Sequence, residues 1–322
     1  MIKIKDNESL EKALLDLQRF KSSVSVSNTW KQNKNDNFSI KDIREFYKND
    51  SGKGLIEKDS KIFPYFLDEN VHGSLKMKYT FKGLVSLMLA ILRHLKNYIY
   101  FPFLILFHFE KLPFQKNKIK EFYFYLFGKP FNGNINKYID QLNWILNHKN
   151  NNAENILEVG GGYGGFCEIM FNNFDFDNYF LVDLAETLSV ASFYLSHSLE
   201  SEIFLLQEVE DIKHVPRTAK NIILIPANLY NHINLQNYKI DFFINSNSFA
   251  EIGNIFVKGY LDFFKKWSTN KALFFSCNQV LRKEIHDYEV SYYSLDWASD
   301  LLKGKILDRS IKNGSELGMI EF

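Results

Sequence analysis

Cysteine and proline are scarce in this chain. Two cysteines, Cys167 and Cys277, are too few for a disulfide framework, and no C-x-x-C pair suggests a metal or redox site. With 6 Pro and 16 Gly in 322 residues, the composition is not that of a disordered or low-complexity protein. Excess charge is also missing. The 39 Lys+Arg and 38 Asp+Glu leave a net charge of +1, which argues against a dedicated nucleic-acid binder. No apolar run reaches the roughly 20 residues of a membrane span. The run at 84–92 is ended by Arg93, His94 and Lys96, and the run at 103–109 is shorter still. The opening MIKIKDNESLEKALLDL is charged and carries no signal-peptide core. The expectation is a cytoplasmic protein, soluble or peripherally associated with the inner membrane.

Hydrophobic residues are plentiful, at 46%, so a sizeable core is expected. At a prior of about 150 residues per domain, the length suggests two domains. Residues 1–150 read as mostly helical, with amphipathic spacing at Leu10, Leu14, Leu15 and Leu17, then at 40–47, 84–95, 122–127 and 135–146. This part would cover a substrate or form a dimer contact. The polar stretch NHKNNNAEN at 147–155 marks the boundary. From 151 to 322 short apolar runs alternate with helical stretches. The runs lie at 156–159, 179–182, 203–206, 222–225, 242–244 and 273–275, and the helices at 165–171, 185–196 and 255–267. That alternation predicts an α/β domain with a mostly parallel sheet covered on both faces. Segments 305–311 and 317–321 would close it as an antiparallel hairpin. Residues 76–120 hold nine Lys/Arg against one acid, Glu110. A solvated basic face, a groove for an anionic nucleotide-linked sugar, and a membrane-docking face all fit that stretch.

The most informative text is Ile156-Leu-Glu-Val-Gly-Gly-Gly-Tyr-Gly-Gly165, an apolar strand running into a glycine turn ahead of a helix. Glycine permits positive φ and close approach of a ligand to backbone N–H groups. Gly160, Gly162 and Gly165 satisfy the dinucleotide pattern G-x-G-x-x-G. Glu158, Gly160, Gly162 and Gly164 also satisfy E-x-G-x-G-x-G. Glu158 separates the two readings. A nicotinamide dinucleotide brings no cation to that place, whereas a methionine-bearing nucleoside brings an ammonium. Asp183 ends a second apolar run, 23 residues after Gly160, where a carboxylate accepts both hydroxyls of a ribose.

The E-x-G-x-G-x-G element resembles motif I of class I S-adenosylmethionine-dependent methyltransferases. Asp241-Phe-Phe-Ile-Asn245-Ser-Asn-Ser248-Phe-Ala-Glu251 and Leu273-Phe-Phe-Ser-Cys-Asn278 narrow the resemblance. They are similar to the fourth- and fifth-strand motifs of a family of sugar O-methyltransferases that act on bacterial surface polysaccharides. The resemblance covers about residues 120–300. It implies a Rossmann-like class I methyltransferase sandwich with S-adenosyl-L-methionine as cofactor. Glu158, Gly160, Gly162, Gly164, Asp183, Leu184 and Asn245 would surround that cofactor. The 58 positions from Asp183 to Asp241 are long for the family, and two apolar runs compete for the third strand. The favoured choice is 221–226 with Asn228 near the adenine; Glu208 or Glu210 is the alternative. The acceptor class implied is a sugar, nucleotide-sugar or glycan of a capsule or lipopolysaccharide precursor. A sugar-linked phosphate or phosphoramidate is included in that class.

Transfer of a methyl from a sulfonium requires an in-line approach by an oxygen relieved of its proton. Glu251 is the first candidate base and His232 the second, with His286 a third. Ser248-x-x-Glu251 also reads as a helix capping box opening near Ile252, and His232 also reads as an ordinary surface histidine. Ser248, Asn278 and Arg282 are candidate substrate contacts. Tyr292, Tyr293 and Trp297 could stack on a sugar or fill the core. Cys167 reads as a small buried apolar side chain. His232, His286 and Asp287 show no metal spacing, so no metal is expected. Two other functions fit less well: an NAD(P)-dependent nucleotide-sugar dehydrogenase or epimerase, and a non-catalytic partner subunit with this fold. The first lacks a Tyr-x-x-x-Lys pair in the α/β region. The second has no physical need for Glu158, the glycine turn and Asp183 together.

Overall fold

The structure is a computed structural model, and it describes residues 1–17, 133–149, 153–216, 220–280, 293–312 and 314–322. The predicted helices at 40–47, 84–95 and 122–127, and the basic stretch at 76–120, lie outside the described residues. So do Arg282, His286, Asp287 and Tyr292.

The described elements are, in chain order, β1 (Ile2–Ile4), α1 (Asn7–Leu17), α2 (Gly133–Leu146), β2 (Asn155–Val159), α3 (Gly165–Asn173), β3 (Asn178–Asp183) and α4 (Ala185–Ser198). They continue with β4 (Glu202–Leu205), β5 (Asn221–Pro226), β6 (Ile240–Ser246), α5 (Asn254–Trp267), β7 (Ser268–Gln279), α6 (Leu295–Leu302), β8 (Lys305–Lys312) and β9 (Ser315–Glu321). The strands form one sheet in the order β1-β4-β5-β3-β2-β6-β7-β9-β8. Strands β4, β5, β3, β2, β6 and β7 run parallel, and β9 is antiparallel to both β7 and β8. From β5 to β8 the sheet has the mixed, mostly parallel form that the sequence resemblance implies. Every residue of β2 and β5 is buried, as a parallel strand covered on both faces requires.

Alternate residues of the strands feed two cores. Ile156, Tyr179, Leu181, Leu224 and Ile244 join the core under α1, α2, α3 and α4. Leu157, Val159, Phe180, Ile223 and Phe243 join the core under α5 and α6. The first described residues belong to this body. Strand β1 pairs antiparallel with β4, Leu14 and Leu17 are buried in the first core, and Leu142 and Ile145 of α2 lie in it as well. Three residues are too few to show a periodicity, so β1 left no pattern in the sequence. Both competing runs are strands, but it is β5 that lies beside β3, with β4 one place further out. No helix among the described residues is long and apolar enough to cross a membrane.

Parallel strands have no hairpin to set their register. Here an asparagine ladder crosses their starting ends. Asn221 donates to Asn178 Oδ1 at 3.1 Å, Asn178 donates to Asn155 Oδ1 at 2.8 Å, and Asn155 donates to the Lys239 carbonyl at 3.1 Å. All three asparagines are buried. Asp241 closes the row by accepting from Asn155 N at 3.0 Å. Asn178→Ala removes the middle rung, leaving Asn155 Oδ1 without its donor and Asn221 Nδ2 with only the Pro216 carbonyl. It should destabilise the fold by about 1–3 kcal/mol, read as a lower urea midpoint at unchanged slope; an unchanged midpoint would show the ladder to be idle.

Candidate functional site

The carboxyl ends of β2, β3, β5, β6 and β7 lie along one edge of the sheet, as the pairs Val159↔Val182, Asp183↔Pro226, Val159↔Asn245 and Ser246↔Cys277 require. Strand β2 is flanked by β3 on one side and β6 on the other, so the chain changes direction across the sheet there. Open α/β sheets bind ligands at such a point.

The glycine turn follows β2 at this edge. Gly160, Gly162 and Gly164 have φ of 74°, 60° and 90°, a region that favours glycine. Space is equally limiting. A Cβ on Gly160 would meet Ser248 Oγ at 2.1 Å, and one on Gly161 would meet Leu181 Cδ1 at 2.1 Å and Glu158 Oε2 at 2.9 Å. At Gly162 a Cβ would meet no atom of the described residues within 4 Å, so this glycine borders open space among them. Helix α3 then begins with Gly164 as its cap and without any side-chain cap bond, which leaves backbone N–H groups directed at the turn. Tyr163 is held by an edge contact to Tyr194 at 5.0 Å, and Tyr138 of α2 packs on Phe166 at 5.5 Å.

Beneath the turn lies Glu158, buried at 1% exposure. Its Oε2 accepts from the Tyr179 hydroxyl at 2.8 Å, while its Oε1 is buried without a hydrogen-bond partner among the described residues. Burial, opposed by the Tyr179 bond, pushes its pKa up to about 8, and Asp183 adds to the rise. Asp183 closes β3. Its Oδ2 accepts from Gly162 N at 2.9 Å and its Oδ1 from Leu184 N at 2.7 Å, and burial pushes its pKa up to about 7. These two bonds leave the carboxylate further acceptor capacity. Leu184 is the half-buried cap of α4. Asn228, just past β5, is half-buried, and its Oδ1 is buried without a partner among the described residues.

Past β6 the structure departs from the sequence reading. Asn245, expected against the cofactor, is turned inward. Its amide donates to the Val159 carbonyl at 2.8 Å and to Ser248 Oγ, and its oxygen accepts from Phe249 N at 3.2 Å and Asn278 Nδ2 at 2.9 Å. Its hydrogen-bonding capacity is thereby filled. Asn278, expected to contact substrate, is 1% exposed and bridges Asn245, Ser276 and Ala250 N. Ser248 donates to the Val159 carbonyl at 3.2 Å and packs on Gly160; it caps no helix. The capping box is therefore absent. Phe249–Glu251 form a single 3-10 turn, and α5 begins only after Gly253. The Glu251 backbone lies on this turn at the site's edge, and its side chain is outside the described residues. His232 ends a short turn after β5 and is exposed. Tyr293 packs on Phe249 at 5.4 Å and shares a hydrogen bond with Ser276, so it fills the core, and Trp297 packs there too. Cys167 is buried. No group of His, Cys, Asp and Glu among the described residues could hold a metal. Tyr179 was missed by the sequence reading. Its pairing with Glu158 depends on the register of β3 against β2, and nothing local signals it.

No family model matches the sequence, and no curated protein matches it. Among solved structures, the chain is similar to the N-methyltransferase NodS from Bradyrhizobium japonicum WM9, with 11% identity over 58% of this chain and 94% of that one, and a TM-score of 0.40. It is similar to a SAM dependent methyltransferase from Aquifex aeolicus (12% identity, 56% and 88% covered, TM-score 0.40). A third is an S-adenosylmethionine-dependent methyltransferase from Clostridium acetobutylicum ATCC 824 (14% identity, 64% and 98% covered, TM-score 0.39). These likenesses are distant, and the functional reading is carried by the strand order and site residues of this chain.

The two raised carboxyls make stability depend on pH. Between the ordinary value of 4.5 and about 8, folded Glu158 keeps a proton that the unfolded chain has released. Its contribution to stability is therefore present below the lower value and is lost as pH rises through this window. Asp183 acts in the same sense up to about 7. The urea midpoint of the ligand-free protein should fall from pH 5 to pH 8, and Glu158→Gln should flatten most of that fall. An equal slope in the variant would remove Glu158 as its source.

Proposed function

We propose that the chain is an S-adenosylmethionine-dependent O-methyltransferase. Its acceptor would be a sugar hydroxyl, or a sugar-linked phosphate or phosphoramidate, on a precursor of capsule or lipopolysaccharide. One observation carries the cofactor reading: the buried Glu158 carboxyl beneath the glycine turn, with one oxygen unpartnered among the described residues. A buried group of this kind is stabilised by a cation that also donates hydrogen bonds, and the ammonium of a methionine moiety is both. A nicotinamide dinucleotide brings no cation to that place.

The other residues fit the same nucleoside. Asp183 has lone pairs to accept ribose hydroxyls, Asn228 Oδ1 can accept from the adenine amino group, and the space beside Gly162 admits the ligand to the backbone. Leu184 lines the same edge. The bound cofactor supplies an electrophilic methyl group on a sulfonium. The chain must then orient the acceptor oxygen and take its proton. Glu251, on the turn after β6, is the proposed base and His232 the second choice. The sugar class is supported by the resemblance of 241–251 and 273–278 to sugar O-methyltransferases. The N-terminal part, residues 1–150, is proposed as a substrate cover or dimer contact and Arg282 as an acceptor contact, and a cytoplasmic homodimer that touches the inner membrane peripherally is consistent with this acceptor.

Calorimetric titration with S-adenosylhomocysteine should show micromolar binding that Asp183→Ala abolishes, with NADH and NADPH silent. Binding of a nicotinamide cofactor instead would overturn the reading. With a nucleotide-sugar or capsule fragment that gains one methyl group by mass, Glu251→Gln should lower kcat about 100-fold and leave the homocysteine affinity unchanged. Full turnover in that variant would exclude Glu251 as the base.

A further inference from the structure

We propose that Tyr179 is a positioning residue of the cofactor site. Its phenol holds one oxygen of the Glu158 carboxylate so that the other is presented to the ammonium of the bound nucleoside. The inference rests on the S-adenosylmethionine reading and names a residue that the glycine motif does not include.

Tyr179 lies near the start of β3, on the face it shares with Ile156 and Leu181. Its side chain is fully buried, and its ring packs on Phe176 at 5.5 Å. Phenylalanine would satisfy that packing, so the hydroxyl is the feature that calls for a reason. It donates to Glu158 Oε2 at 2.8 Å. The terminal torsion of a glutamate is otherwise broad, and this single bond sets the plane of the carboxyl. Leu181 and the turn at Gly161 confine the same group, since a Cβ on Gly161 would touch both. With Oε2 taken, Oε1 is left buried and open.

The site provides no internal cation to fill that gap: among the described residues, no Lys or Arg forms an ion pair with Glu158. The ionisable groups that face it are Tyr179 and Asp183 of β3 and Cys167 of α3; Tyr138 of α2 approaches from the Tyr179 side. None of these brings a positive charge. Donation from Tyr179 also favours the ionised carboxylate, the form that attracts an ammonium.

The test compares two ligands. S-adenosylhomocysteine carries the amino acid end; 5′-methylthioadenosine keeps the adenine, ribose and thioether but has no ammonium. In the full-length protein, Tyr179→Phe should weaken S-adenosylhomocysteine about tenfold and leave methylthioadenosine within about twofold. Added to Glu158→Gln, it should weaken S-adenosylhomocysteine no further. The pH at which S-adenosylhomocysteine affinity is half-maximal should move upward in Tyr179→Phe, because the carboxylate has lost a donor. A loss shared equally by the two ligands, or additive losses in the double variant, would overturn the proposal and leave Tyr179 a core residue. If the wild-type protein binds neither ligand, the cofactor reading itself fails and this inference falls with it. If it binds both and Tyr179→Phe changes neither, only this inference falls.

Discussion

A carboxyl group buried beneath a turn of glycines is the constraint on which the upper edge of this sheet depends. Glu158 takes the space that a side chain on Gly161 would need, and Leu181 takes the rest. The turn above must therefore be bare backbone, and its positive φ values are those that glycine adopts without strain. Bare backbone in turn exposes N–H groups. One of them, from Gly162, is held by Asp183 across from β3, so two acids on neighbouring strands clasp the same loop from below and from the side. A buried acid and a half-buried one, both with raised pKa values, are an unfavourable pair at a sheet switch point in the free protein. Such arrangements are found where a ligand relieves them.

The same edge is secured by a second polar cluster. Asn245, Ser248 and Asn278 tie the ends of β6 and β7 to the last carbonyl of β2. Far from them, at the opposite ends of the strands, the asparagines of β2, β3 and β5 form their own ladder. Parallel strands joined by helices have no tight turn to choose their register, and apolar side chains slide past one another at little cost. Directional bonds at both ends remove that freedom. The site is thus positioned by amides bonded to one another within the sheet, and two of the polar groups left short of partners among the described residues, Glu158 and Asn228, lie at the carboxyl edge of the strands.

Much of the architecture was readable because parallel strands and the helices between them have different periods. The runs near 156, 179, 222, 242 and 273 are all strands, and the glycine turn sits between the first of them and a helix as its composition demands. The site residues were less readable, for a definite reason. A polar residue at the end of a strand has the same appearance in the sequence whether it faces a ligand or a neighbouring amide. Asn245 and Asn278 face each other, and Ser248 supports Gly160 instead of opening a helix. The spacing S-x-x-E was genuine, but Gly253 delays the helix, so the pattern had no helix end to cap.

By itself the sequence determined the alternation of strands and helices, the place of the turn and the presence of acids at the ends of β2 and β3, since each follows from local residue type and spacing. Tertiary structure alone decided which of two runs lies beside β3, that Ile2–Ile4 extends the sheet, and that Tyr179 meets Glu158. Those outcomes depend on strand register and on which side chains compete for the same space, and residues far apart in the chain enter into both.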